Sequence, residues 1–391
     1  MSLSSSLKAK SPLAYHRILS PSASIKVSPI CLGSMNFGEI WKGLLGKCSK
    51  DTAFSIMDHF HASGGNFIDT ANMYMAGESE KWIGEWMTAR NLRDQMVIAT
   101  KYTVSPKFAF LEPEESILSN YGGTNKKSLR LSLSQSLKNL QTDYVDVLYV
   151  HGWEDTASIP ELMQSLDLVV RDGKALYLGV CNWPAWVVVK ANEYARQHAL
   201  TPFVVYEGRW NPVDREIERD VVPMCKAEGM GITVWSALGG GKFKDKTTAE
   251  KKSGRSFTDD LGGASPETYK KFGAVMEDIG KNQGSDALGV ALRYCMLKAP
   301  YVIPIIGGRK FEHLQKNIDA LKINLSEADI EKIEAVVPFD FGYPHSIASS
   351  NRYEPISSSY PAFFIRDCCL FDGVEEVKVR CPTEIQTWNP C

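Results

Sequence analysis

Between residues 69 and 151 the chain places four side chains that together make a proton donor. In Phe67-Ile68-Asp69-Thr70-Ala71-Asn72-Met73-Tyr74 a carboxylate is followed five positions later by a phenol. Lys101 closes the apolar run Met96-Val97-Ile98-Ala99-Thr100, and His151 closes Val145-Asp146-Val147-Leu148-Tyr149-Val150. A free tyrosine gives up its proton near pH ~10, too high for an efficient acid at neutral pH unless its phenolate is stabilised. A neighbouring ammonium does this. Lys101 is therefore expected to lower the Tyr74 pKa, Asp69 to hold that ammonium, and His151 to orient a carbonyl or share the proton. Such a set would protonate a carbonyl oxygen while a hydride reaches the carbon. Singly each residue is weak evidence, since a lone lysine is usually solvated and a histidine at a strand end is usually structural. Their shared placement, each polar group where an apolar strand stops, is the stronger signal.

That placement depends on the surrounding elements. Strand patterns occur at residues 29–33, 66–69, 96–100, 144–150, 175–180, 203–206, 231–235 and 301–306. Helical apolar periods separate them near residues 78–89, 126–140, 159–171, 184–198, 216–228, a pair spanning 266–298, and 311–321. Asp51 is expected to cap a further helix carrying Ala53, Ile56, Met57 and Phe60 on one face, ended by Gly64-Gly65. Eight strands alternating with helices predict an α/β fold, a (β/α)8 TIM barrel, with an N-terminal β-hairpin within residues 17–27. Strand C-termini in such a barrel open on one face, and that face carries the active site. The barrel is expected over residues 15–345, after a flexible N-terminus at 1–14 and before an atypical C-terminal extension at 346–391 that shows no period. A Gly-, Lys-, Ser- and Thr-rich stretch at 239–263 interrupts the repeat as a functional flap or a disordered insertion.

Composition narrows the function. With 44 Lys plus Arg against 46 Asp plus Glu, no global field recruits nucleic acid or an anionic membrane. The nine cysteines form neither a CxxC pair nor a regular framework, which fits a reduced, cytoplasmic setting, and no metal site is expected. The start has no apolar core of signal-peptide length, and no later run approaches a membrane span. Tyr294-Cys295-Met296-Leu297-Lys298 fits the Tyr-x-x-x-Lys string of another oxidoreductase class, but no glycine-rich dinucleotide turn follows the first strand, so Tyr294 is expected to be packing.

In order and spacing, Asp69-Thr70-Ala71-x-x-Tyr74, Lys101 and His151 resemble the catalytic tetrad of the aldo-keto reductase superfamily. Asn66-Phe67-Ile68-Asp69-Thr70-Ala71, Leu176-Tyr177-Leu178-Gly179-Val180, Thr201-Pro202-Phe203 and Pro223-Met224-Cys225 are similar to its fungal branch of aryl-alcohol dehydrogenases and norsolorinic acid reductase. The resemblance implies NADP(H) held across the barrel mouth without a G-x-G-x-x-G turn. Asp69, Cys181, Asn182 and Glu207 would lie at the nicotinamide end, with Trp235 stacked on the ring. Ser236, Ala237, Leu238, Gly239, Gly240, Gly241 and Lys242 would form one phosphate loop. Gly307, Gly308, Arg309 and Lys310 would form the other at a helix start, with Arg309 or Lys310 on the 2′-phosphate and His313 and Asn317 facing the adenine. His151, Trp153 and Trp183 would meet a flat substrate, and Phe37, Trp41 and Trp210 are further aromatic candidates. The expected activity is NADPH-dependent reduction of an aromatic aldehyde or ketone, in a secondary-metabolite step of the norsolorinic acid reductase kind. Alternatives are a general aryl-alcohol dehydrogenase and a non-catalytic NADPH-sensing subunit. The partner is a small aromatic carbonyl or alcohol, and the oligomeric state is open.

Overall fold

The computed structural model describes residues 9–105, 117–244 and 263–345. The C-terminal extension at 346–391 and most of the 239–263 insertion lie outside the described residues. Among the described residues there are ten strands: β1 (Arg17–Ser20), β2 (Ala23–Val27), β3 (Cys31–Gly33), β4 (Phe67–Asp69), β5 (Val97–Tyr102), β6 (Val145–Val150), β7 (Ala175–Cys181), β8 (Phe203–Arg209), β9 (Gly231–Trp235) and β10 (Val302–Ile306). β3 to β10 close into a parallel barrel in chain order, with β10 back against β3. Helices on its outside include Lys50–Ala62, Glu78–Arg90, Lys126–Leu140, Ile159–Arg171, Ala185–Gln197, Val221–Glu228, Pro266–Lys281, Ala287–Lys298 and Phe311–Ala320. The expected (β/α)8 TIM barrel is the fold.

Two apolar clusters follow from the two-residue period of a strand. Phe67, Val97, Ala99, Val147, Tyr149, Val205 and Ile303 pack with Leu19, Ala23 and Val27 of the β1–β2 hairpin, so the hairpin plugs one end of the barrel. The alternate residues Ile68, Ile98, Leu148, Val150, Leu178, Val180, Ile232 and Val234 join the helices in the larger outer core. Continuing the first series along each strand leads to Asp69, Lys101, His151, Cys181, Glu207 and Trp235. The sites of interest are thus the last layer of the barrel filling. That layer rests on Tyr149, whose hydroxyl pairs with Thr233 Oγ1 at 3.0 Å. Gly179 makes room for this ring: a Cβ there would sit 2.6 Å from Tyr149 Cδ1 and 2.8 Å from Val205 Cγ1.

Several local expectations differ from the structure. Ser49, not Asp51, caps the helix Lys50–Ala62, because Ser49 holds the extended backbone of a cap and its side chain accepts from Thr52 N, while Asp51 already lies in the first turn. The 216–228 segment is a short 3-10 turn, Glu216–Glu218, followed by the helix Val221–Glu228. A helix at Glu327–Glu334 was not expected from the apolar period; its signal is the capping box of Ser326 and Asp329. At the N-terminus, Ser11 caps the turn Pro12–Ala14 and Leu13 is buried, so residues 11–14 are tied to the body. Among the described residues no helix is long and apolar enough to cross a membrane.

Gly179→Ala should destabilise the protein by about 1–3 kcal/mol, because the added methyl must displace Tyr149 or Val205 in a filled barrel. Urea unfolding at neutral pH measures this, and an unchanged midpoint would show that the barrel filling has slack.

Candidate active site

The end of β4 is held against β5 beyond the last ladder pair. Thr70 N donates to Ala99 O at 2.9 Å and Asn72 N to Lys101 O at 3.1 Å, which carries the chain past Lys101. Tyr74 then opens a tight turn, its N–H bonded to Ala71 O at 3.1 Å. The next two residues, Met75 and Ala76, have φ of 49° and 53°, a left-handed backbone that side chains disfavour and that marks the turn as strained. Behind it, Glu80 is buried, accepting from Thr100 Oγ1 at 2.6 Å and from Asn139 Nδ2 at 3.1 Å. This fixes β5 one residue before Lys101. On the far side His151 N donates to Tyr102 O at 2.9 Å, so His151 continues the β6 pairing.

Lys101 is fully buried. Its ammonium pairs with Asp69 Oδ1, donates to Thr70 O at 3.0 Å, and lies 3.3 Å from Glu207 Oε1. An ammonium has three donors, and these partners occupy them. Lys101 also faces the Tyr74 ring, 5.2 Å from Nζ to the centroid. The Tyr74 and His151 rings meet edge to face with centroids 5.9 Å apart. The four sequence-predicted residues therefore converge at the C-terminal ends of three adjacent strands.

The electrostatics differ from expectation. Burial raises the Tyr74 pKa above the usual phenol value; Lys101 opposes this, but Asp69 and Glu207 add to it. The expected lowering is corrected, because burial outweighs the Lys101 charge and the two carboxyl groups add to the rise. Burial and the Lys101 charge lower His151 to about 3, so its imidazole is neutral at working pH and acts as a hydrogen-bonding group, not as a cation that shares the proton. Its Nδ1 is buried without a partner. Burial, reinforced by Asp69 and opposed by Lys101, pushes Glu207 up to about 8. Asp69 is also raised by burial against the pull of Lys101.

The residues expected at the nicotinamide end form one chain of contacts beside this cluster. Trp235 Nε1 donates to Asn182 Oδ1 at 3.0 Å, Asn182 Nδ2 to Cys181 Sγ at 3.1 Å, and Cys181 Sγ to Glu207 Oε1 at 3.6 Å. Of the first loop, Ser236, Gly239, Gly240 and Gly241 all have positive φ between 58° and 81°, while Ala237 is buried and Leu238 partly so. Lys242 lies 5.3 Å from the Tyr269 ring. At the second loop Lys310 is the cap of helix Phe311–Ala320 and makes no side-chain capping bond. Asn36 Nδ2 donates to Gly308 O at 2.9 Å, and Arg309 lies so close to Gly46 that a Cβ there would fall 1.6 Å from Nη1. The loop after β3 therefore packs directly on this second loop. His313 is exposed and Asn317 buried on that helix. The residues fit a dinucleotide on observations of their own: a run of left-handed backbone at one loop, a helix start without a side-chain cap at the other, and the buried Glu207 Oε2 without a partner between them and the tetrad.

The aromatic candidates separate. Trp153 and Trp183 pack edge to face at 4.8 Å, and Trp183 is 2% exposed, wedged on Phe203 in the outer core. Phe37 and Trp210 are fully buried, so they are core, while Trp41 is half-buried. Tyr294 is packing as expected, buried with its hydroxyl on Glu334 Oε1 at 2.8 Å. What the sequence did not reveal is that Glu207 pairs with Lys101; its strand parity with Val205 was the available signal.

Lys101→Met leaves Asp69 and Glu207 buried without a cation and should cost about 3–5 kcal/mol at pH 8. Carboxyl groups raised above their unfolded pKa stabilise least at high pH and most below the unfolded value, so the deficit should shrink toward pH 5. Urea unfolding of wild type and variant at both pH values checks this. A deficit independent of pH would mean that the loss is packing alone.

The Aldo/keto reductase family model matches residues 29–338. Norsolorinic acid reductase B of Dothistroma septosporum is 50% identical over 345 residues, covering 87% of this chain and 86% of that protein. Norsolorinic acid reductase A of Aspergillus parasiticus is 48% identical over 332 residues, 85% and 83% of the two chains. An aryl-alcohol dehydrogenase of Pestalotiopsis microspora is 49% identical over 336 residues, 86% and 85%. With the family model spanning most of the barrel and a phenol, ammonium, carboxylate and imidazole gathered at its mouth, the chain is an oxidoreductase and belongs to the aldo/keto reductase family.

Proposed function

We propose that the protein is an NADPH-dependent reductase of aromatic aldehydes or ketones, with Tyr74 as the proton donor. The observation that carries this reading is the placement of the Tyr74 ring between the buried Lys101 ammonium at 5.2 Å and the His151 ring at 5.9 Å. Asn182, Glu207 and Trp235 would hold the nicotinamide end of NADPH, the Ser236–Gly241 backbone and the Gly307–Lys310 turn its phosphates, and Arg309 or Lys310 the 2′-phosphate. When bound, NADPH supplies a hydride for the carbonyl carbon. Tyr74 gives its hydroxyl proton to the carbonyl oxygen. The raised Tyr74 pKa keeps that proton in place until negative charge develops on the oxygen, and Lys101, fixed by Asp69, then faces the phenolate that forms. Neutral His151 donates an N–H to the same oxygen and orients it. Trp153, packed on Trp183, offers a flat apolar wall for an aromatic ring.

The relatives support the substrate class. Two are named as norsolorinic acid reductases and one as an aryl-alcohol dehydrogenase, at similar identity, so aromatic carbonyl chemistry is the common denominator and a secondary-metabolite step fits. The barrel at 15–345 would carry the whole reaction, since every residue assigned to it lies there.

Tyr74→Phe should lower the rate of NADPH oxidation with benzaldehyde by about 10²–10⁴-fold while leaving NADPH binding close to wild type, the usual weight of a general acid. Steady-state assays with fluorescence titration of NADPH separate the two. Unchanged turnover in this variant contradicts the assignment, and NADPH binding without turnover in the wild type would favour a sensing role.

A further inference from the structure

The cluster under Tyr74 carries more negative charge than its ammonium neutralises. Lys101, Asp69 and Glu207 are 0%, 3% and 2% exposed and come from three different strands. Lys101 Nζ pairs with Asp69 and stands 3.3 Å from Glu207 Oε1. Two ionised carboxylates around one buried ammonium leave a net negative charge out of water, which burial penalises. A proton held by the carboxyl pair removes that charge. The second Glu207 oxygen, Oε2, is buried with no hydrogen-bond partner, a state that costs less for a neutral carboxyl than for a carboxylate.

The groups facing Glu207 come from every side of the barrel. They are Asp69 on β4, Lys101 on β5, the Tyr149 phenol on β6, the Cys181 thiol on β7 at 3.6 Å, the Cys31 thiol on β3, and Tyr74 in the loop after β4. Tyr149 is occupied by Thr233 on β9, and burial raises the pKa of both thiols, so those groups stay neutral. Lys101 is the cation that answers Asp69 and Glu207.

We propose that Glu207 is a positioning residue for proton delivery: with a proton on Glu207 the Lys101 charge acts on Tyr74, and once that proton leaves, the charge is neutralised by two carboxylates and Tyr74 holds its own proton more tightly. The inference rests on Tyr74 being the donor in a carbonyl reduction. The step is an acid dissociation: the Glu207 O–H bond breaks, its proton goes to solvent, and no electrons are transferred. Because Glu207 is pushed up to about 8, the change falls in an accessible alkaline range.

Two measurements test it. In the first, kcat for benzaldehyde reduction with saturating NADPH is compared at about pH 7 and about pH 9.5 within each protein. Wild type should lose activity on the order of tenfold across that range, Glu207→Asp should keep the fall, and Glu207→Gln should flatten it to within about twofold. A role confined to holding the cofactor would instead weaken NADPH binding equally at every pH. In the second, infrared difference spectra of the wild-type protein with NADP⁺ should lose a protonated-carboxyl C=O band between about pH 7 and about pH 9. That band should be missing from Glu207→Gln. A fall that persists in Glu207→Gln, or no fall in wild type, overturns the inference while leaving the reductase intact. If no aldehyde turns over, the proposed function fails instead, and the infrared titration still decides: no carboxyl signal lost in that window overturns the Glu207 assignment. The wild-type spectrum and the Glu207→Asp profile carry the test even if Glu207→Gln does not fold.

Discussion

A lysine ammonium with no exposure to water is tolerated only when charges and acceptors surround it, and that requirement organises this barrel mouth. Lys101 needs Asp69 from β4, the Thr70 carbonyl just beyond it, and Glu207 from across the barrel. Those partners reach it only if β4, β5 and β8 end at one level, which the parallel closure provides. The hairpin at the other end, the Tyr149–Thr233 pair and the space left by Gly179 support that layer from below. The strained turn at Met75 and Ala76 then brings the Tyr74 ring over the charge. Removing the ammonium would therefore disturb packing, electrostatics and proton delivery together.

The acid strength of Tyr74 follows from its burial and from how much of that charge reaches it. One ammonium beside one phenol would make a stronger acid. Here burial outweighs the ammonium, and Tyr74 is held protonated with His151 neutral beside it. A donor that keeps its proton until the carbonyl oxygen turns anionic is suited to reduction. The other contacts belong to the same layer: Cys181, Asn182 and Trp235 extend from Glu207 along the mouth, toward the two loops whose backbone suits anions.

Much of this was legible in the chain. Apolar strand runs ending in Asp69, Lys101 and His151 betray a barrel mouth, because a polar side chain there has nowhere else to be satisfied. The two-residue period also puts Glu207 in the same layer as Val205, but one strand does not say which cation it meets across the barrel. For the same reason one stretch of sequence does not give the direction of the Tyr74 shift: it depends first on burial and then on the charges around Lys101, both tertiary quantities. Trp183, Phe37 and Trp210 show the parallel difficulty for aromatics, which have one composition signal whether they line a pocket or fill a core. Ser49 displaced Asp51 as a cap because both residue types suit the position and only the backbone decides.

On this reading the site holds Tyr74 as a protonated acid instead of generating a phenolate at rest. Carbon NMR of protein labelled at the tyrosine Cζ, with the Tyr74 signal assigned by its loss in Tyr74→Phe, measures this directly. The Tyr74 resonance should stay at its phenol position up to about pH 10, beyond the point where an ordinary tyrosine begins to titrate. A phenolate signal from Tyr74 below about pH 9 would contradict it.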